Sequence, residues 1–419
     1  MSDETPMTGG SQAVTYARIL AEPRFRVLFA TRSLVIAADT LRMVALSVLV
    51  YAQTGSPLLA AVAFGIGFLP QVAGGALLGA LADRLRPRPL ITGVYAAEAA
   101  AAAALGLLDL PVAVCLLLVA AIACVTPVVS GAVNRLAAEV LPGEGFVLGR
   151  SLMMIAAAVA QLLGLAFGGI AVAALGDRRA LLVTAAAYAV AAAVVRLRLA
   201  DFPPAPAAEG APGSVLRASR AVNRLLWRDR AVRAILLAHW LPVAFVAGAE
   251  SLLIPYAQEH GHGEAGGALL LAALPVGMMA GNAVCGRLLR PRTRERLVVP
   301  MMALCGLPLL APAAGPPLPV LVALLAVTGA TIAYELGLQR PFVDAVPEGA
   351  RGQAFGLLST GTMTLQGVGP VVLGAAAEAA GIGPAVALAG VACLVTALLL
   401  RPGLRRVRAG HGAGRPAAR

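Results

Sequence analysis

The chain has 419 residues, 59% of them hydrophobic and only 13% charged, with a mean hydropathy of +0.84. Those values exclude an ordinary soluble domain, in which about a quarter of residues carry charge. The net charge of +12 does not point to nucleic acid, because all 33 basic residues are arginines gathered between long uncharged runs.

Taken in chain order, residues 1–24 are polar, lack a secretory apolar core and cleavage site, and are expected to form a cytoplasmic, uncleaved segment. A helix needs about 20 apolar residues to cross a bilayer. Twelve such spans can be placed, at roughly 25–51, 58–82, 89–108, 111–137, 147–174, 179–199, 231–257, 266–289, 296–312, 317–339, 352–379 and 383–401. The runs are continuously apolar and do not alternate, which excludes a porin-like barrel. The predicted class is an all-α integral membrane protein with twelve transmembrane helices. They divide into an N-terminal six-helix bundle (25–199), a linker (200–230), a C-terminal six-helix bundle (231–401) and an Arg-rich tail (402–419).

The arginines concentrate in the N-terminus, in the connections after the even-numbered spans and in the tail. The positive-inside rule therefore puts both termini in the cytosol, in a cytoplasmic (plasma or inner) membrane. The linker opens with the flexible "DFPPAPAAEGAPGS" and continues as "VLRASRAVNRLLWRDR". In the latter, Arg217, Arg220, Arg224 and Arg228 recur at helical spacing opposite Val222, Leu225 and Leu226. That pattern predicts an amphipathic helix on the anionic leaflet.

The two bundles repeat each other. An offset of 205 residues links Tyr51 with Tyr256, Arg135 with Arg340, Glu139 with Asp344, and Pro142 with Pro347. The same offset links Gln161 with Gln366, Gly164 with Gly369, Gly169 with Gly374 and Gly176 with Gly381. A duplicated six-helix unit is a common plan of secondary transporters. Between spans 2 and 3 the charged stretch "GALADRLRPRPL" has its echo in "AVCGRLLRPR", where Gly286 takes the place of Asp83.

With that stretch, twelve spans and an internal repeat, the chain resembles the major facilitator superfamily from about residue 20 to 400. Gly79, Leu81, Ala82, Asp83, Arg84 and Arg88 match its loop signature, while Arg86 and Pro87 depart from it. The resemblance implies that Asp83 meets the N-terminal end of span 11 as an inner gate, with Arg84 and Arg88 bridging acidic partners or headgroups. Span 5 carries "AQLLGLAFGG", a partial match to the glycine-rich pattern of proton-driven exporters: Gly164, Gly168 and Gly169 are present and Leu165 replaces the proline. Those glycines are expected to let helices pack closely. "AEPRFRVLFATRS" and "NRLAAEVLP" are similar to segments of actinobacterial-type drug and secondary-metabolite exporters, including siderophore-exporter-like members.

Ionisable groups inside a membrane are costly and mark function by default. Asp39 in span 1 shares a helical face with Arg42 and Arg32, and the resemblance makes spans 1, 4, 7 and 10 cavity-lining. Asp39, Arg42, Glu98 in span 3 and Glu250 in span 7 are therefore candidates for proton coupling. Arg32, Gln71, Gln161, His239, Thr331, Glu335 and Gln366 are candidates for lining the substrate cavity, each with helix packing as the alternative. The five cysteines form no metal-ligand spacing and no catalytic motif occurs, so neither metal nor cofactor is expected, nor enzymatic activity. The expectation is a monomeric, proton-coupled exporter of a small amphipathic compound. An importer of a small nutrient, or a sensor or scaffold, stands as the alternative.

Overall fold

The computed structural model describes residues 16–78, 85–141, 144–201, 223–346 and 351–413. After a short helix, Tyr16–Ala21, the N-terminal half contains α1 (Pro23–Thr54), then α2 in two segments, Pro57–Gly65 and Leu69–Leu78. It continues with α3 (Pro87–Leu107), α4 (Val112–Val140), α5 (Glu144–Leu175) and α6 (Asp177–Arg198). The C-terminal half contains α7 (Arg230–Ser251, extended by Leu253–Glu259), α8 (Gly263–Leu288) and α9 (Pro291–Gly306, followed by a 3-10 stretch at Pro308–Ala314). Next come α10 (Leu318–Thr331, a 3-10 turn at Ile332–Glu335, then Leu336–Ala345), α11 (Arg351–Ala380) and α12 (Ile382–Ala413). Among the described residues eleven spans are long and apolar enough to cross a membrane, and the thirty-residue α11 brings the number of bundle helices to twelve. α12 continues past the expected end of the twelfth span to Ala413.

Helix is the only economical answer for these runs, because the bilayer offers no partner for an unpaired amide. Punctuation comes from residues that suit helix ends. Pro23, Pro57, Pro87 and Pro291 stand in the first turn of their helices, where a missing N–H costs nothing. Asp229 caps α7 by accepting from the Ala231 and Val232 amides at 2.7 and 3.0 Å. Gly176 and Gly381, matched by the repeat, both hold positive φ (83° and 90°) at the α5–α6 and α11–α12 junctions. The span predicted at 58–82 is not one rod: residues 66–68 form a turn that divides α2. Local apolarity does not register such a break, since both segments remain equally greasy.

The repeat appears in three dimensions. Arg135 pairs with Glu139 at 3.5 Å and Arg340 with Asp344 at 3.6 Å, at corresponding ends of α4 and α10. Gly164 of α5 rests against Ala37 and Thr40 of α1, and its counterpart Gly369 of α11 rests against Ala244 of α7. Gly169 meets Ala268 of α8, and its counterpart Gly374 meets Leu58 of α2. The same two helices, α5 and α11, thus bind their own half through one glycine and the opposite half through the other. Gly168, between them on α5, packs more loosely on Leu41 and Val44 of α1.

The core has three main parts. One cluster belongs to the N-terminal half alone and includes Leu28, Val35, Tyr95, Leu136, Tyr188 and Val195. A second belongs to the C-terminal half alone and includes Ile235, Trp240, Met302, Tyr334 and Phe342. The largest draws on both halves, from Val44–Val50 and Phe64 to Leu252–Ala257, Leu270–Leu274 and Leu373. In α1, α7 and α11 the residues that join it lie toward the end opposite the chain termini. The halves are therefore cemented at that far end and keep separate cores at the terminal end. At the far rim Glu378 of α11 accepts hydrogen bonds from the Ser56 hydroxyl and, at 3.4 Å, from the Leu58 amide, so it sits on the N-terminus of α2.

The linker segment is only partly within the described residues. Residues 223–228 are helical; Arg217, Arg220 and Val222 lie outside the description. The expected apolar face does not hold as drawn: Leu226 is buried in the C-terminal core, whereas Leu225 is 60% exposed. Trp227 stacks on Trp240 of α7 with ring centroids 5.8 Å apart, so this segment is anchored to the protein.

Candidate functional site

A cavity of about 490 Å³ lies at mid-depth, between α1, α2, α4 and α5, with Met363 of α11 on its wall. Leu46, Ala63, Phe64 and Val119 belong both to its wall and to the shared far-end core, which closes it on that side. Arg32, Ile36, Asp39, Thr40 and Met43 present one face of α1 to the space, as spacings of three and four on a helix require. Gln71, Thr126 and Gln161 add uncharged polar points, and Phe68, Met154 and Met363 add apolar ones. Gln71 also donates to the Gly67 carbonyl at 2.6 Å, across the turn that divides α2.

Three side chains lock together on the wall. Asp39 accepts from Arg42 at 3.1 Å and from the Tyr188 hydroxyl at 2.6 Å, both on the same oxygen. Arg42 donates to that hydroxyl as well, at 3.3 Å. A paired charge with further hydrogen bonds is what an apolar interior tolerates. The arrangement is nonetheless open to the cavity, for the Asp39 side chain is 30% exposed and that of Arg42 13%. Arg32, two turns earlier, donates to the Ser130 hydroxyl of α4 at 3.0 Å.

Glu98 of α3 is 3% exposed and does not line the cavity, yet it lies within electrostatic reach of Asp39, Arg42 and Arg32. Its Oε2 has no hydrogen-bond partner among the described residues, and the nearby Tyr95 hydroxyl lies beside Arg32. Two arginines and two carboxylates thus converge from α1 and α3, closed by Tyr188 from α6.

Candidates in the C-terminal half are not gathered in this way. Glu250 of α7 and Glu335 in the 3-10 turn of α10 are half-buried, and neither side chain has a hydrogen bond or ion pair among the described residues. His239 is buried and its Nδ1 stands 3.1 Å from the Ile235 carbonyl, one turn back on its own helix. Thr331 donates to the Thr328 carbonyl at 2.7 Å. Neither these nor the half-buried Gln366 lie on the cavity wall.

Of the loop signature, Gly79, Asp83 and Arg84 fall outside the described residues. Among the described residues Arg88 pairs with no acid; it donates from two guanidinium nitrogens to the Arg196 carbonyl at the end of α6. The departure from the signature at Arg86 and Pro87 also has a structural account. Pro87 starts α3, and Arg86, at its N-cap, pairs with Asp201 at 3.4 Å. The echo does likewise, with Arg290 at the N-cap and Pro291 starting α9.

Reasoning from sequence missed Tyr188, Tyr95 and Ser130. A signal for Tyr188 was present: it is a lone ring with a polar tip inside "TAAAYAVAAA", and a buried tyrosine hydroxyl needs a partner. Among the described residues no group of three His, Cys, Asp or Glu is placed to hold a metal.

Two pseudo-symmetric six-helix halves, with a cavity walled mainly by the first of them, define a multi-pass membrane protein. The sequence profile described as Major Facilitator Superfamily matches residues 28–336, and the chain belongs to that family. Its fold is similar to that of a nucleoside transporter, NupG, at 15% identity and a TM-score of 0.72, covering 90% of this chain and 99% of that one. It is similar also to a bacterial homologue of the human lysosomal transporter Spinster in an inward-facing, unoccupied conformation. There the identity is 15% and the TM-score 0.65, over 92% and 96% of the two chains. A POT family transporter in complex with 5-aminolevulinic acid matches at 12% identity and a TM-score of 0.68, over 91% and 96%. A search of curated protein sequences finds no match.

Proposed function

We propose that this transporter is a proton-coupled exporter of small amphipathic compounds, working as a monomer in the cytoplasmic membrane with both termini in the cytosol. The observation that carries this reading is the Asp39–Arg42–Tyr188 cluster on the wall of a largely apolar cavity. A carboxylate open to the cavity and held by replaceable partners is suited to take a proton in one access state and yield it in the other. The basic end of an amphipathic compound competes with that proton for Asp39, which makes the exchange an antiport. Glu98, behind the cluster, and Glu250, in the other half, are the secondary proton sites in this scheme.

The separated cores lie at the terminal end, so the positive-inside orientation makes the described arrangement open toward the cytosol. Alternating access then requires the far-end contacts of α5 with α8 and of α2 with α11 to part while the terminal end closes. Asp83 at the entrance of the α2–α3 connection is our candidate latch for that closure. The test is accumulation of the cationic dye ethidium in cells expressing the protein. Expression is expected to lower accumulation severalfold, and a protonophore to restore it. The reading fails if expression never lowers accumulation, or if Asp39→Asn extrudes the dye as well as the wild type.

A further inference from the structure

We infer that the substrate is a zwitterion whose acidic group sits on Arg32 and whose basic group sits on Asp39, about 10 Å apart along α1 at seven residues' rise. The inference rests on the transport reading above and names the substrate class of the same cavity.

The charged groups on the wall differ in what they have left for a ligand. Arg42 is spent on Asp39 and Tyr188 and is the more buried partner of the pair. Arg32 faces the same cavity, donates to the Ser130 hydroxyl and has the Tyr95 hydroxyl beside it. A guanidinium carries five N–H donors, so most of those on Arg32 remain for a ligand. Glu98 offsets its charge at a distance but forms no hydrogen bond with it and does not reach the wall. Arg32 is therefore a cation in a cleft with a planar fork of donors, the geometry that suits a carboxylate.

Asp39 has the complementary vacancy. One of its oxygens holds both Arg42 and Tyr188, while the other has no partner among the described residues, and the side chain is 30% exposed. Arg32 and Asp39 stand two turns apart on one face, with Ile36 between them. Phe64, Phe68, Met154 and Met363 supply the remaining apolar wall. The space thus has an acid-binding end, an apolar middle and a base-binding end. Its volume of about 490 Å³ falls within the range of small-molecule sites. An uncharged or purely cationic amphiphile leaves the Arg32 fork without a partner in a low-dielectric site.

The experiment uses the purified full chain in nanodiscs and three fluorescent probes of one scaffold. They are 7-(piperazin-1-yl)coumarin-3-carboxylic acid, its methyl ester, which lacks the acid, and its N-acetyl derivative, which lacks the base. The zwitterion is expected to bind at least about tenfold more tightly than either derivative, the scale of one charge-assisted hydrogen-bonded pair. Arg32→Gln is expected to bring the zwitterion down to the affinity of the ester, and Arg32→Lys to retain part of the preference. Retained binding of the ester by Arg32→Gln reports an intact fold. The inference is overturned if the ester equals the zwitterion, if the zwitterion does not bind saturably, or if Arg32→Gln weakens both equally. Should the wild type extrude ethidium in a proton-dependent way while showing no zwitterion preference, the substrate class falls and the transport reading stands. Zwitterion preference without proton-dependent extrusion has the opposite meaning.

Discussion

The two halves share a chain plan but not a distribution of charge. In the N-terminal half, Asp39, Arg42 and Tyr188 satisfy one another on the cavity wall, with Arg32 and Glu98 close by. In the C-terminal half, Glu250 and Glu335 stand half-buried without a cationic partner among the described residues, and neither lines that cavity. Two packing glycines of α5, Gly164 and Gly169, are in contrast matched by Gly369 and Gly374 and perform the same task, while Gly168 is matched by Leu373. Duplication has preserved the close helix contacts, where backbone approach leaves little freedom, and the ion pairs at the ends of α4 and α10, and has let the charges within the helices diverge. A mid-membrane charge is expensive unless paired, and the Asp39–Arg42 pair lies within one helix, so motion of one half against the other does not break it.

The sharpest way to break this comparison is to neutralise one carboxylate in each half. Asp39→Asn is expected to lower proton-driven transport in proteoliposomes at least about 100-fold, an effect larger than about 2.7 kcal/mol. Glu250→Gln and Glu335→Gln are expected to lower it by less than about threefold. Equal losses from the two halves would remove the asymmetry. Tyr188→Phe comes next. It strips Asp39 and Arg42 of a shared partner in a buried site, a loss of about 1–3 kcal/mol, seen as a lower melting temperature and about tenfold slower transport. If transport and melting are unchanged, the hydroxyl is not part of the site.

A third measurement addresses what the halves have in common. A Cβ on Gly169 would stand 2.7 Å from the Ala268 Cα, and one on Gly374 2.9 Å from the Leu58 Cα. Gly169→Leu and Gly374→Leu are therefore expected to wedge the far-end interface apart by a few ångströms, read as spin-label distances across it. Similar shifts from both variants support the pseudo-symmetric role; a shift from only one confines it to that side. The smallest effect is expected from Glu378→Gln, which weakens an exposed contact with Ser56 and the Leu58 amide. The same distances should then shift modestly toward separation, and less at high salt if the contact is electrostatic.

Much of this architecture can be read from local pattern. The spans follow from uninterrupted apolar runs, their starts from proline and their junctions from glycine, and the repeat from residues matched at one offset. Pattern fails where the decisive partner is remote in sequence. Tyr188 reaches Asp39 across 149 positions and Ser130 reaches Arg32 across 98. Both belong to helices whose own sequences read only as membrane spans. The turn at 66–68 within α2 is hidden for a different reason, because both segments flanking it are apolar.

By itself, the sequence determined that this chain spans a membrane many times, that it is built from a duplicated six-helix unit, and that Asp39, Arg42 and Arg32 share a helical face. Those properties depend on hydrophobic transfer and on helical periodicity, which act over a few residues at a time. Only the tertiary structure decided that Tyr188 joins Asp39 and Arg42, that Glu98 stands behind them, and that Glu250 and Glu335 are left apart. It also decided which end of the bundle is cemented. Those outcomes depend on which helix faces meet across the fold, and each helix carries several faces apolar enough to be buried.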